Sequence, residues 1–185
     1  TGTVHEPIKG TKNPQKMLQC GVPFTKKPVA LQFDYKVKMS DRENRIRATG
    51  FSKITDVPGK DYPAAILLLQ KRWEDANGNV YAKRIGTMVT YYYHSTDWKN
   101  NVTYEIMYGD ITNRPEYKAH MMRLQATESY TVNSKGESVP IHEVAWGDEN
   151  DVPTHMYIQF TSSHGGAYIG SPGNTLWVDN VKLVY

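Results

Sequence analysis

The amino-acid sequence predicts an all-β fold, an antiparallel two-sheet β-sandwich with at most one or two short helices. Three observations carry this reading. Leu31, Phe33, Tyr35, Val37 and Met39 alternate with Gln32, Asp34, Lys36 and Lys38, the period-two pattern of a half-buried strand. Met156, Ile158 and Phe160 alternate in the same way with His155, Tyr157, Gln159 and Thr161. Short turns rich in Gly, Asn and Pro, such as Ala76-Asn-Gly-Asn79 and Ser171-Pro-Gly-Asn174, separate such runs at intervals typical of sandwiches.

Residues 1–16 are polar, with Pro7, Gly10 and Pro14, and read as a lead-in of little intrinsic structure before a single β-sandwich domain over residues 17–185. Met17 to Val22 is expected to form a first short strand. Ala64 to Gln70 is apolar on both faces, which predicts a central strand covered on two sides. It runs into Lys71-Arg72-Trp73-Glu74-Asp75, and Asn77-Gly78 then marks a hairpin from which Val80 to Tyr93 returns. Val102, Tyr104, Ile106 and Tyr108 give another alternating strand. Pro115 to Thr127 fits either a short helix, with Pro115 in its first turn, or an irregular strand. Ser129 to Asp151 reads as loop. In the final strand Leu176 and Val178 mark one face, whereas Val181, Leu183 and Tyr185 continue out of phase. A β-bulge at Asp179-Asn180 restores the inward direction of the later side chains. Asp179 at that bend is a candidate acceptor of backbone N–H groups or a cation ligand. Strand following strand in this way suits a jelly roll.

Composition narrows the function classes. Length supports one domain with a core: the chain has 185 residues. It carries 13 Tyr and 4 Trp against 4 Phe, and rings with a polar handle suit half-exposed strands and ligand surfaces. The net charge of +3 is spread along the chain without a concentrated basic footprint, which argues against nucleic-acid binding. Cys20 is the only cysteine, so neither an internal disulfide nor a multi-cysteine metal site is available. No run approaches the roughly twenty apolar residues of a membrane span, so no membrane insertion is expected. The chain opens on Thr1-Gly-Thr with no signal peptide and reads as a mature fragment or an excised domain.

Three stretches resemble a known family. Gly21-Val-Pro-Phe-Thr-Lys-Lys-Pro-Val-Ala-Leu-Gln-Phe-Asp-Tyr-Lys36 is similar to an opening G-x-P-F-T-x-x-P-x-x-L-x-x-x-Y-K. Thr96-Asp-Trp-Lys-Asn-Asn-Val-Thr-Tyr-Glu-Ile-Met-Tyr108 resembles a W-x-x-x-x-x-x-I-x-Y strand with one extra residue between Trp98 and Ile106. Ser162 to Tyr185 is similar to a closing S-S-x-x-G-x-x-x-G-x-x-G-S-x-L-x-V-D-x-x-x-L-x-Y, with Asn174-Thr175 where Gly-Ser is commoner. The patterns they resemble are those of the provisionally named carbohydrate metabolism domain of surface and secreted proteins of polysaccharide-using gut bacteria. The resemblance implies a jelly-roll sandwich similar to carbohydrate-binding modules. It also implies an exported location (extracellular, cell surface or periplasmic) and a neighbouring immunoglobulin-like domain. It carries over no catalytic residue.

The residues point to binding ahead of catalysis. A glycosidase needs two carboxylates at a set separation, and Asp34, Glu74-Asp75, Glu105 and Glu143 are the candidates. None shows the Glu-x-Asp-x-x-Glu spacing common in jelly-roll glycanases, so no catalytic residue is assigned. The six histidines lack His-x-His or His-Glu-x-x-His spacing and the serines lack Gly-x-Ser-x-Gly, so neither a metal site nor a cofactor is expected. Sugar binding asks for flat rings against a pyranose and planar polar groups for its hydroxyls. Trp73, Trp146, His155, Tyr157 and Gln159 are the candidate binding residues, with Trp98 expected to pack beneath its strand. The predicted partner is a glycan or oligosaccharide. Alternatives are a glycoside hydrolase or lyase, and a structural or protein-interaction module.

Overall fold

The computed structural model describes residues 13–49 and 52–185, so most of the lead-in over 1–16 lies outside the described residues. After a 3₁₀ turn at Pro14–Met17 come thirteen strands: β1 (Val22–Pro23), β2 (Ala30–Lys38), β3 (Arg45–Arg47), β4 (Thr55–Val57), β5 (Ala64–Glu74), β6 (Val80–Tyr91), β7 (Thr96–Glu105), β8 (Met107–Tyr108), β9 (Tyr130–Val132), β10 (Ser138–Trp146), β11 (His155–Thr161), β12 (Ile169–Gly170) and β13 (Thr175–Val184). Ala119–Met122 forms the single helical turn α1. The described chain is thus all-β. The first strand starts at Val22, the last residue of the expected Met17–Val22 span, because Met17 ends the 3₁₀ turn and Gly21 bends the backbone at φ +85°. No helix among the described residues is long and apolar enough to cross a membrane.

The strands form a sheet ordered β1-β11-β5-β6-β10-β9, with β8 added on β6, and two three-stranded sheets, β13-β2-β7 and β12-β3-β4. The largest sheet is mixed, which corrects the expectation of antiparallel pairing throughout. β10 runs parallel to β6, with Ile141 beside Val80, His142 beside Tyr81 and Trp146 beside Arg84. A parallel pair needs a long crossover, and the chain between Tyr91 and Ser138 supplies it. Strand alternation contains no information on direction, so the sequence could not disclose it.

The stretch expected as loop, Ser129 to Asp151, holds both β9 and β10. Its pattern was hidden by Pro140, by the buried Glu143, and by a bulge between Glu143 and Ala145 that resets the alternation. Conversely, Ala64 to Gln70 is buried at every position, as its unbroken apolar run predicts.

The described chain divides into two compact units, one of residues 13–27, 67–87 and 106–158, the other of 28–49, 52–66, 88–105 and 159–185. In the first, Leu67, Leu68, Leu69, Ile85, Ile111 and Ile141 are excluded from solvent. Each such side chain contributes roughly 1.5–3 kcal/mol of burial. Within this core lies an ion pair. Arg84 and Glu143 are both buried; Arg84 Nε donates to Glu143 Oε1 at 2.5 Å and Nη2 donates to Oε2. The remaining guanidinium donors meet Thr87 Oγ1, Met122 O and Arg123 O at 3.5, 3.4 and 3.3 Å. Glu143 also accepts from Gln70 Nε2 at 2.5 Å and from the Gln125 backbone N–H at 2.7 Å. The pair therefore ties α1 and the segment after it to the sheet.

In the second unit the inward face of β2 carries Leu31, Phe33 and Val37, all excluded from solvent, as the alternation predicts. Phe33 stacks on Tyr104 at 5.2 Å between centroids and meets Phe160 edge-on at 5.0 Å. Tyr92 donates its hydroxyl to Tyr104 at 3.3 Å, and burial raises the pKa of both phenols. The predicted bulge in β13 is present: register slips between Asp179 and Lys182, with Asn180 at φ +52°. Asp179 Oδ1 accepts the Asn180 N–H at 2.8 Å. A second bulge in β7 places Asn101 at φ +52°. Asp34 on the central strand β2 joins the two, accepting Asn101 N–H at 2.6 Å and Asn180 Nδ2 at 2.7 Å. Those bonds, the backbone one first, hold its carboxyl below the usual range.

Two predictions follow from these networks. Glu143→Gln or Arg84→Met leaves one buried charge unpaired and should cost about 3–5 kcal/mol in urea denaturation, whereas Arg84→Met combined with Glu143→Leu should cost less than either alone. Asp34 has its folded pKa below the unfolded value of 3.8, so its contribution to stability is present above that value and is lost as pH falls through the folded pKa. The melting temperature of Asp34→Ala should lie below wild type at neutral pH and converge with it in acid.

Candidate functional site

The hairpin from β5 to β6 organises the site. Asp75 N–H donates to Asn79 O at 3.0 Å, closing a turn whose Gly78 sits at φ +92°, a conformation that favours glycine. Asp75 Oδ1 accepts the N–H groups of Asn77 and Asn79, each at 2.9 Å. Its Oδ2 takes Asn79 Nδ2, and these bonds, that from the Asn79 side chain first, depress its pKa. The tip is then clamped to the turn between β9 and β10. Glu74 accepts Ser134 Oγ at 2.6 Å and Ser134 N–H at 2.9 Å, and Asn133 Nδ2 donates to Gly78 O at 3.0 Å.

Counting outward from the Asp75–Asn79 bond sets Trp73 against Tyr81. Their rings lie 5.8 Å apart and nearly parallel, at 23°. Tyr81 is in register with His142 on β10, so both side chains leave the same face, with ring centroids 5.7 Å apart. Trp73, Tyr81 and His142 therefore form an aromatic stripe across three neighbouring strands, with Trp73 43 % exposed. Lys71 and Lys83 share that face by alternation, and Lys71 Nζ donates to Asp151 Oδ1 at 2.8 Å. That bond and a backbone N–H from Asp148 hold the Asp151 carboxyl below its ordinary value.

Of the expected binding residues, Trp73 alone belongs to this stripe. Trp146 is in register with Arg84, on the opposite face, where its ring lies over the guanidinium at 5.6 Å and meets Tyr117 edge-on. It covers the buried ion pair. Tyr157 packs on the apolar cluster of Cys20, Val80, Ala82 and Ile141, and burial raises its pKa. His155 is half-buried, with Nδ1 2.9 Å from Thr154 Oγ1. Gln159 is half-buried and belongs to the other unit. β11 is half-buried at every position, so its two faces are not separated into core and surface as the alternation suggested. Arg72, next to Trp73, turns away from the stripe: Nε donates to Gln70 Oε1 at 2.8 Å and Nη1 to Cys20 O at 2.9 Å. Burial lowers its pKa to about 10.

Tyr81 and His142 were missed. Counting across the recognised hairpin could have found Tyr81, but His142 reaches the stripe only through the parallel β6–β10 pairing. Two further tryptophans stand out: Trp98, expected beneath its strand, is 47 % exposed, and Trp177 is 40 % exposed.

Four of the five candidate carboxylates are engaged elsewhere, Asp34 by the two bulges, Glu74 by Ser134, Asp75 by its turn and Glu143 by Arg84, whereas Glu105 is exposed at the end of β7. In the second unit Asp61, Ser163 and His164 do meet, but Ser163 Oγ donates directly to Asp61 Oδ2, and His164 contributes its backbone N–H at 3.0 Å. The imidazole instead packs against Tyr91 at 5.4 Å. No histidine relays a proton between serine and aspartate in this arrangement. Among the described residues no group of three or more His, Cys, Asp or Glu is placed to hold a metal ion.

Burial, and secondarily the Arg72 charge, lower the His155 pKa from 6.5. Because the unfolded chain binds the proton more readily, this group lowers stability as pH falls below 6.5 toward its folded pKa. His155→Gln should thus lose less melting temperature than wild type over that interval, measured by circular dichroism. Compared with known proteins, the chain matches no family model, no curated protein and no solved structure.

Proposed function

We propose that this chain is an exported carbohydrate-binding domain that takes up a glycan across the Trp73–Tyr81–His142 stripe as part of polysaccharide use. The observation that carries this reading is three rings side by side on one exposed sheet face, at 5.8 and 5.7 Å between neighbours. Aromatic faces stack on the apolar faces of pyranoses, and a saccharide laid across the strands meets successive rings in turn. Lys71, Lys83, Asp151 and the imidazole nitrogens supply donors and acceptors for ring hydroxyls. The clamped hairpin reduces the ordering cost of binding, because the platform is held by Glu74–Ser134 and Asn133–Gly78 before ligand arrives.

The resemblance of the three stretches named above to the carbohydrate metabolism domain supports the same reading. It also favours a jelly-roll sandwich exported to the periplasm, cell surface or extracellular space, beside an immunoglobulin-like domain. The parallel β6–β10 pair is a departure from a strictly antiparallel jelly roll. Stacking requires no ionised catalytic dyad, which agrees with Asp34, Glu74, Asp75 and Glu143 being committed to hydrogen bonds within the fold.

The test is binding of cellohexaose, xylohexaose and mannohexaose by isothermal titration calorimetry, with product analysis on the same sugars. Trp73→Ala and Tyr81→Ala should each weaken binding of the recognised oligosaccharide about tenfold or more, ~1.4 kcal/mol. Trp146→Ala should instead lower stability. Binding that survives Trp73→Ala unchanged, or release of shorter sugars by the wild type, overturns the reading.

A further inference from the structure

The outward face of the β13-β2-β7 sheet carries a cleft that the stripe does not use. It measures about 420 Å³ and is lined by Lys36, Val37, Lys38, Ser95, Thr96, Asp97 and Trp177. It opens broadly to solvent. Trp177 and Lys36 are cross-strand partners, as are Thr175 and Lys38, so both lysines and the indole leave the same face. Lys36 Nζ stands 5.9 Å from the Trp177 ring centroid.

The polar groups of this cleft are biased toward donors. Ser95 Oγ accepts the Met39 backbone N–H at 2.9 Å, and Thr96 Oγ1 accepts the Val37 backbone N–H at 3.2 Å. A hydroxyl that accepts from the backbone keeps its own hydrogen to donate. Thr96 is in register with the inward Val37, so the groove presents two ammonium groups and the Ser95 hydroxyl hydrogen. Its one acidic side chain, Asp97, is fully solvent-exposed and lies 3.8 Å from Lys36 Nζ. An exposed pair of that kind is worth little and leaves the lysine charge available.

We propose that this cleft binds an acidic saccharide, with a sugar ring stacked on Trp177 and its carboxylate or sulfate held by Lys36, Lys38 and the hydroxyl of Ser95. A neutral sugar would bring no anion to the two ammonium groups, and a small inorganic anion would bring no ring to stack on the indole. The site belongs to the second compact unit and stands independently of the Trp73 stripe.

The experiment titrates hexagalacturonate, a chondroitin sulfate hexasaccharide, neutral galactohexaose and single-stranded oligothymidylate into the whole chain, at low salt and at 0.5 M salt. At least one acidic saccharide should bind tenfold or more tightly than galactohexaose and weaken with salt, the two acidic probes separating uronate from sulfate recognition. Trp177→Ala and the surface double variant Lys36→Gln/Lys38→Gln should each reduce that affinity about tenfold, with melting temperatures near wild type. Trp73→Ala should leave it unchanged. Acidic and neutral sugars bound alike, retention of binding in the double lysine variant, no acidic saccharide bound, or tighter binding of the oligothymidylate each overturn the proposal. Loss confined to Trp73→Ala would leave the stripe standing and remove this cleft.

Discussion

The Arg84–Glu143 pair is the constraint on which the first unit is built. Removing a guanidinium and a carboxylate from water costs several kcal/mol per ion, and their mutual attraction offsets this only when their other hydrogen-bonding groups are met. Here the guanidinium donors reach Glu143, Thr87, Met122 and Arg123, and the carboxylate also accepts from Gln70 and Gln125. Few alternative registers of β10 against β6 could satisfy this set. The pair accordingly favours one parallel alignment between segments distant in sequence, where apolar burial alone would tolerate a slip. Trp146 closes the site by lying over the guanidinium. The same register brings His142 beside Tyr81, so the exposed stripe is a by-product of an alignment set from the buried face.

The second unit solves a related problem with an exposed acid. β2 is flanked by two strands that each carry a bulge, and each bulge leaves an asparagine in the left-handed region, which asparagine tolerates better than most residues. Asp34 lies between them and accepts from both. β2 itself alternates without interruption, with Leu31, Phe33 and Val37 inward and Lys36 and Lys38 on the other face beside Trp177, and the bulges reset the flanking strands against it. Packing on one side of this sheet therefore governs what the opposite side offers to a ligand.

Both units expose indole rings on strands whose reverse faces are committed to packing. A ring on such a strand is positioned by the backbone, with little freedom left to lose on binding. Trp73 gains this from the clamped hairpin, and Trp177 from its registered place beside Lys36. Trp146 and Tyr157 show the other fate of an aromatic side chain in the same kind of strand, as cover for a buried pair and for an apolar cluster.

Local features were legible in the sequence. The alternation of Leu31 to Met39, the apolar run from Ala64, the Asn77-Gly78 turn and the phase slip at Asp179-Asn180 are each set by a few neighbouring residues and by the two-residue repeat of a strand. That repeat says a strand has two faces, but not which one is covered or which strand lies alongside. The tertiary structure decided that Arg84 and Glu143 meet in the interior, that β10 runs parallel to β6, and that the Trp73–Tyr81 face of the hairpin extends to His142 and not to Trp146 or Tyr157. These are pairings between distant segments, selected by the joint satisfaction of buried charge, hydrogen bonds and apolar area, and no local window of the chain contains them.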